Sequence, residues 1–379
     1  MNRKWFRGVA FFILAALGVM PALAQENADQ TLFLTFVPNI QFSPVYAGIE
    51  NGYYAQNGIN LIIEHGDEPV GVDLIAAGER QFGIVSGEQV IAARANGRPV
   101  VFVYEWFQKF PISVVATENS GIDTVADLAG QRVGLPGRFG ATYSGLVALL
   151  AANGLAESDL QLQEIGFNAP EVICVGGVEA STVYINNEPL QIQNRIDAGD
   201  CGAITGIRVF PVSEYVDIVS NGLITNEATI TENPDLVRAM VAAYHNGLRD
   251  VIQNPAQAYL ISAAYVENLP LTDADRAVLE NGSDMATTFI AGTLTPDANI
   301  EQFAAFHAQL ADTLIPQLSQ DAAVQFRILL NTIDLWMAER LGYTDPESWE
   351  TTAQTLITMG FLDEIPDLAG AYTNDFLPE

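Results

Sequence analysis

Side chains able to hold a flat, polar solute recur just after apolar, β-rich runs. The run 31–37 is followed by Asn39, Gln41, Phe42, Ser43 and Tyr46. Amides read the donors and acceptors on the edge of a heterocycle, and rings cover its faces. Phe42 and Tyr46 stand four residues apart, so on a helix they share one face, and core packing is the competing use for both. Ser86 and Glu88 follow the run 82–85 in an equivalent place. Tyr104, Trp106, Phe107 and Phe110 put four rings into seven residues after the run 99–104. That exceeds what one strand end needs for packing, and Trp106 is the ring expected to wall a site.

Two further segments carry polar chemistry. Gly137, Phe139, Gly140, Thr142 and Tyr143 lie in a Gly-rich turn before a helix, where backbone N–H groups can meet a ligand oxygen. Arg138 in this turn reads as a solvated charge. The turn lacks the Gly-Lys-Ser/Thr of a phosphate loop and the full dinucleotide spacing. Tyr184, Asn187 and Glu188 end another strand-like run. Glu188 can accept from heterocycle N–H groups or polyol hydroxyls; capping the next helix is the competing role for Asn187 and Glu188. Cys174 and Cys201, with His65, His245 and His307 scattered, make neither a metal cluster nor a nucleophilic site. A Cys174–Cys201 bridge and two buried thiols both remain open. No catalytic residue, metal or cofactor is expected.

The elements that position these residues alternate. Strands at 31–37, 59–64, 82–85 and 99–104 alternate with helices at 44–52, 71–78 and 88–96. A second set follows: a capping box from Thr124 to Asp127 whose helix Gly130 closes, then strands at 131–135, 160–165 and 182–185. Helices at 140–153, 169–178 and 189–198 sit between and after them, and 216–220 leads back out. After Asn233, an expected N-cap with Pro234 at N1, the pattern is mostly helical, with helices at 300–314, 322–341 and 348–359. The alternation signals α/β lobes with mainly parallel sheets, and ligands of such sheets bind beyond the strands' carboxyl ends. No Pro-, Gly- or Ser-rich linker separates the two sets, so the lobes share crossing strands.

The chain has 46 acidic and 16 basic residues among 379, a net charge of −30. That balance repels nucleic acid and anionic lipid. With 49% hydrophobic and 16% charged residues the chain is globular, and its length fits about two domains. Arg3, Lys4 and Arg7 precede an apolar run at 8–20, Pro21 and Ala22-Leu23-Ala24. This reads as a cleaved signal peptide over 1–24. The run is short of the ~20 residues that span a bilayer, and no Cys follows it to carry a lipid. An exported protein without a lipid anchor is expected, in a compartment that permits disulfides.

The segments FVPNIQFSPVYAGIENGYYAQNGINLII (36–63), TVADLAGQRVGLPGRFG (124–140), VYINNEP (183–189), LITNEATITENPDLVRAMVAA (223–243) and TNDFLP (373–378) together resemble periplasmic solute-binding proteins of ABC importers. The branch is the one that holds binders of thiamine pyrimidine precursors, riboflavin and alkanesulfonates. The resemblance implies a two-lobed, type II α/β fold with flanking helices and a helical C-terminal tail. It implies lobe one at 31–114 and 221–379, and lobe two at 115–220. One solute is clamped by hinge closure, and the monomeric closed form docks on a permease and, through it, an ATPase. The branch also resembles a pyrimidine synthase that uses pyridoxal phosphate. Its lysine and histidine positions correspond to Val85 and Gln89 here, and its cysteine cluster would fall at 223–231, where no Cys stands. Its phosphate-binding turn is retained as Gly137 to Gly140. Lys109 is the sole lysine after Lys4, and an imine chemistry requires a lysine, so no enzyme is expected. Gln41 replaces a histidine common in the pyrimidine binders. The PNIQFSPVY form points to riboflavin first, a pyrimidine precursor (formylaminopyrimidine or hydroxymethylpyrimidine) second, and an alkanesulfonate or other solute third.

Overall fold

The computed structural model describes residues 27–293 and 300–378; the expected signal segment 1–24 lies outside them. Among the described residues ten strands are formed: β1 (Ala28–Thr35), β2 (Ile59–Gly66), β3 (Phe82–Ser86), β4 (Val100–Glu105), β5 (Ile112–Thr117), β6 (Arg132–Leu135), β7 (Gln161–Glu164), β8 (Ala180–Tyr184), β9 (Ile207–Pro211) and β10 (Asn221–Asn226). They make two five-stranded sheets, ordered β2-β1-β3-β10-β4 and β7-β6-β8-β5-β9. β3, β5 and β10 are central strands buried along their whole length, as expected of strands covered on both faces; the edge strand β4 is equally buried because the tail bonds along it at Gly342, Ala371 and Thr373.

Each sheet contains one reversed strand. β10 runs antiparallel to β3 and β4, and β5 runs antiparallel to β8 and β9. The other four strands of each sheet share a direction, as expected of mainly parallel sheets. The reversed strands are the first ones entered after the chain crosses between the sheets, through 106–111 and back through 212–220. β5 opens at Ile112, so residues 112–114 pair within the second sheet.

Three strands are additions to the expected set: β5, β9 and β10. No helix separates β4 from β5, so the β–α alternation does not announce it. β9 (IRVFP) carries Arg208 and ends at Pro211, and β10 begins with Asn221-Gly222, a turn signature. Two tail helices are also additions, Pro255–Ser262 and Asp273–Thr293; in the second, Asn281-Gly282 mimics a turn. Some expected helices shrink. The capping box at Thr124 forms, yet it opens only the 3-10 turn Val125–Leu128. The helix expected over 169–178 stops at Cys174, because Gly176 turns out at φ +70°. Pro234 opens the helix Pro234–Gln253, but the Asn233 side chain makes no capping bond.

The largest core cluster lies between the first sheet and the helical tail, joining Leu32, Leu34, Ile84 and Leu223 to Met240, Tyr244, Leu329 and Trp336. The helix Pro234–Gln253 crosses Ser43–Glu50 at close range: a Cβ on Gly247 would stand 2.1 Å from the Pro44 carbonyl. A second cluster fills the other sheet around Val114, Val133, Leu146 and Leu149. Cys174 and Cys201 are joined as a disulfide beside it. Among the described residues no helix is long and apolar enough to cross a membrane.

Candidate functional site

Where the crossings meet the strand ends, the two sheets form a cavity with about 350 Å³ of open space. Five rings line it (Phe36, Phe42, Trp106, Phe107 and Tyr184), with Thr35, Gln41, Asn221 and Ile84. No charged side chain is among them. The reversal of β10 explains Asn221: its first residue pairs with Ser86, the last of β3, and so arrives at the edge where the parallel strands end. The Asn221 carbonyl accepts the N–H groups of Trp106 and Phe107, both at 3.0 Å. Its side chain accepts the Tyr184 hydroxyl at 3.3 Å. One residue thus ties both crossings and a strand of the second sheet to the cavity.

The rings form a column. Phe42 stacks on Trp106 with centroids 5.7 Å apart, and Trp106 meets Trp336 at 5.4 Å. Phe107 packs edge-on against Trp106 at 4.6 Å. A flat solute between two rings needs about 7 Å, two carbon contact distances. The column therefore has no room for a flat solute between its rings; Phe42, Trp106 and Phe107 face the cavity. Phe36 adopts φ +100°, a conformation that a non-glycine residue holds only under constraint, at a cost of ~1–3 kcal/mol. The constraints are its N–H bond to the Gly66 carbonyl at 3.2 Å, the His65 ring nitrogen on its carbonyl at 2.9 Å, and its edge contact with Phe167 at 4.8 Å.

Gln41 is buried, and its Oε1 accepts from Asn186 Nδ2 at 3.1 Å. Asn186 also donates to Thr332 at 2.7 Å, so the first loop, the loop after β8 and the tail helix Gln320–Trp336 meet in one chain of bonds. Three buried polar atoms around the column have no protein partner: Trp106 Nε1, Trp336 Nε1 and Asn186 Oδ1. Leaving such atoms unpaired costs ~1–3 kcal/mol each.

The remaining expected residues divide into groups. Asn39, Asn187 and Glu188 line an outer groove of about 820 Å³ that shares Phe36 with the cavity. Each already has a local task. Asn39 caps the turn Ile40–Phe42 by accepting the Gln41 N–H. Glu188 accepts the Tyr184 N–H at 2.9 Å and the Asn187 amide at 3.1 Å, and burial raises its carboxyl to about 7. Ser86 and Glu88 are buried and do not line the cavity; the Ser86 hydroxyl bridges Glu88 and Glu68, and Glu68 also accepts the Ala141 N–H beside Gly140. Gly137 lies under the Phe139 ring, where a Cβ would stand 2.3 Å from it. Thr142 is buried in the first turn of the helix Gly140–Ala152. Tyr143 turns away, donating to Glu157 at 2.7 Å and stacking on Phe361 at 5.6 Å. Tyr46 stacks on Tyr265 at 4.5 Å within the helical core, away from the cavity. Arg138 pairs with Glu157 and Glu164 at the surface, and Lys109 is exposed.

The sequence reading missed Thr35, Phe36, Asn221, Trp336 and Glu68. Asn221 hid in a turn-like dipeptide. Trp336 ends an apolar helix 230 residues after Trp106, and Glu68 stands before the helix expected at 71–78.

The model of the family described as NMT1/THI5 like matches residues 39–258. The riboflavin-binding protein RibY of Chloroflexus aurantiacus is 30% identical over 364 residues, 94% of this chain and 88% of that protein. A formylaminopyrimidine-binding protein of Halalkalibacterium halodurans is 28% identical over 272 residues, 71% of this chain and 78% of that one. A 4-amino-5-hydroxymethyl-2-methylpyrimidine phosphate synthase of Legionella pneumophila is 25% identical over 241 residues, covering 63% and 74%. Among solved structures, the alkanesulfonate-binding protein SsuA of Xanthomonas axonopodis pv. citri bound to MOPS matches with a TM-score of 0.52 at 16% identity, over 80% of this chain and 99% of that one. This likeness shows the fold, that of the periplasmic binding proteins.

Proposed function

Because the chain belongs to the NMT1/THI5-like family, we propose that it is the extracytoplasmic solute-binding component of an ABC importer, capturing riboflavin or a related flat, uncharged heterocycle by hinge closure. The observation that carries this reading is the cavity itself. It joins five rings, two amides and no charge at the meeting of two sheets, and unpaired N–H and C=O groups surround it. A solute with aromatic faces and a polar edge satisfies both sets at once. Lobe one carries the first sheet and the tail, and lobe two carries the second sheet. They turn about the crossings that Asn221 ties together, and the solute drives closure by binding the closed form better than the open one.

Export, a monomeric state and docking on a permease belong to the same proposal. The Cys174–Cys201 bridge supports an oxidising compartment. Binding without catalysis is supported by the cavity lining, which holds no lysine, and by the exposed place of Lys109. The formylaminopyrimidine-binding relative favours a pyrimidine thiamine precursor as the second reading.

The test is a titration of purified protein into riboflavin, read by flavin fluorescence. One-to-one, saturable quenching is expected. Absence of quenching, with saturable binding of formylaminopyrimidine, replaces the first reading by the second. A borohydride-reducible imine between pyridoxal phosphate and Lys109 would instead establish the enzyme.

A further inference from the structure

The helix Gly140–Ala152 starts at the Gly-rich turn, and a helix N-terminus of this kind attracts anions through its free N–H groups. Here an anion is supplied from within the chain. Glu68 Oε2 accepts the Ala141 N–H at 3.1 Å. Glu68 heads the helix Glu68–Ala76 beside the first sheet, so this bond spans the cleft to the second. The fit is close: a Cβ on Gly140, which has φ +66°, would stand 2.5 Å from the same oxygen.

The other oxygen is held as firmly. Glu68 Oε1 lies 2.5 Å from both the Ser86 nitrogen and the Ser86 hydroxyl, and that hydroxyl lies 2.7 Å from Glu88 Oε1. A serine hydroxyl has one proton, so it cannot donate to both acids; one carboxyl must itself supply a proton. Glu68 gathers three donors. Glu88 has, besides the hydroxyl, its own backbone N–H and a Gln89 amide at 3.5 Å, and its second oxygen is unpartnered. The donors therefore place the charge on Glu68 and the proton on Glu88. Burial raises both carboxyls, Glu88 to about 8 with the Glu68 charge adding to it, while the two Ser86 bonds and the Ala141 N–H oppose the rise at Glu68. The Glu68 charge also acts on Tyr184, which lines the cavity.

We infer that Glu68 is a specificity-determining residue, whose carboxylate fills the anion position at the Gly140 helix terminus and so excludes solutes bearing a phosphate or sulfonate. The inference rests on the reading that this cleft takes a solute. It predicts discrimination between a neutral compound and its phosphate ester, and it locates that discrimination in one carboxylate.

The experiment compares the parent protein with Glu68→Ala and Glu68→Gln, each checked for fold by circular dichroism. Riboflavin and riboflavin 5′-phosphate are titrated in parallel, and thermal unfolding is followed with inorganic phosphate or sulfate. The parent is expected to favour riboflavin by at least ~tenfold and to gain no stability from phosphate. Glu68→Ala is expected to narrow that preference by ~tenfold or more and to gain an anion-dependent rise in Tm. Glu68→Gln keeps an acceptor for the Ala141 N–H without the charge, so it narrows the preference if Ala disturbs the fold. Unchanged discrimination and no anion effect in both variants overturn the inference. The phosphate arm separates the two claims: an anion effect confined to the variants, in a protein that binds no flavin, upholds the role of Glu68 and rejects riboflavin as the solute.

Discussion

Replacing Trp106 separates what the aromatic column does for stability from what it does for binding. Trp106 is 3% exposed and touches Phe42, Trp336 and Phe107. Truncating a buried tryptophan to alanine costs ~3–5 kcal/mol of stability. Loss of one aromatic face from a flat heterocycle costs ~1–3 kcal/mol of affinity, a factor of roughly 5 to 150 in Kd. The stability effect is the larger, so it must be measured first, by urea unfolding without solute. Flavin titrations are then run well below the unfolding midpoint. Trp106→Ala is expected to lower the midpoint and to weaken riboflavin by about tenfold or more. Trp106→Phe keeps a ring but loses Nε1–H, which has no protein partner. Its affinity should fall between the two while most stability remains. A folded Trp106→Ala protein whose Kd stays within about twofold of the parent refutes the column as the wall of the site.

Other outcomes follow from the buried groups. Burial raises Glu105 to about 8 and Glu188 to about 7, both from 4.5. Carboxyls raised in the fold contribute stability that is complete below the unfolded value and lost as pH climbs through the folded one. The Tm should therefore be higher at pH 5 than at pH 8.5. Glu105→Gln should flatten that slope, because it removes a carboxyl that folding makes a stronger proton acceptor, and each tenfold gain in proton affinity is about 1.4 kcal/mol. A Tm that rises with pH contradicts this. Reduction of the Cys174–Cys201 bridge, which spans 27 residues, should cost roughly 3–4 kcal/mol by loop entropy. It is checked by denaturant melts with and without reductant, and unreduced protein should yield no alkylated thiol. The Tyr54 hydroxyl is buried without a partner. Tyr54→Phe should leave stability unchanged or raise it by up to about 1 kcal/mol, and a clear loss in a thermal melt would show a missed partner.

The sequence carried the fold's rhythm well where apolar runs alternate with Gly-closed helices, from β1 through β4 and from β6 through β8. It carried the crossings poorly. β5 and β10 enter their sheets directly after a crossing, without the helix that marks other strands, and their reversed direction is set by that crossing rather than by local propensity. The same cause limited the site. Gln41, Phe42, Trp106 and Tyr184 follow strands and could be placed at strand ends, and the structure gathers them at one cavity. Asn221 reaches that cavity through the reversal of β10, and Trp336 reaches the column by folding back of the tail. Tyr46 shares a sequence neighbourhood with Phe42, yet it stacks into the helical core. Ser86 and Glu88 follow β3 as expected, but Glu68, to which Ser86 bonds, is brought in by tertiary packing that local sequence does not show.

The claim that this molecule captures one flat, uncharged solute between its sheets is tested most directly by native mass spectrometry of protein purified from its own host. The expected spectrum shows one chain carrying one noncovalent neutral mass, riboflavin or a pyrimidine, that is lost on mild activation and restored by adding the compound. A chain that carries a phosphorylated ligand, or a covalent adduct on Lys109, would contradict it.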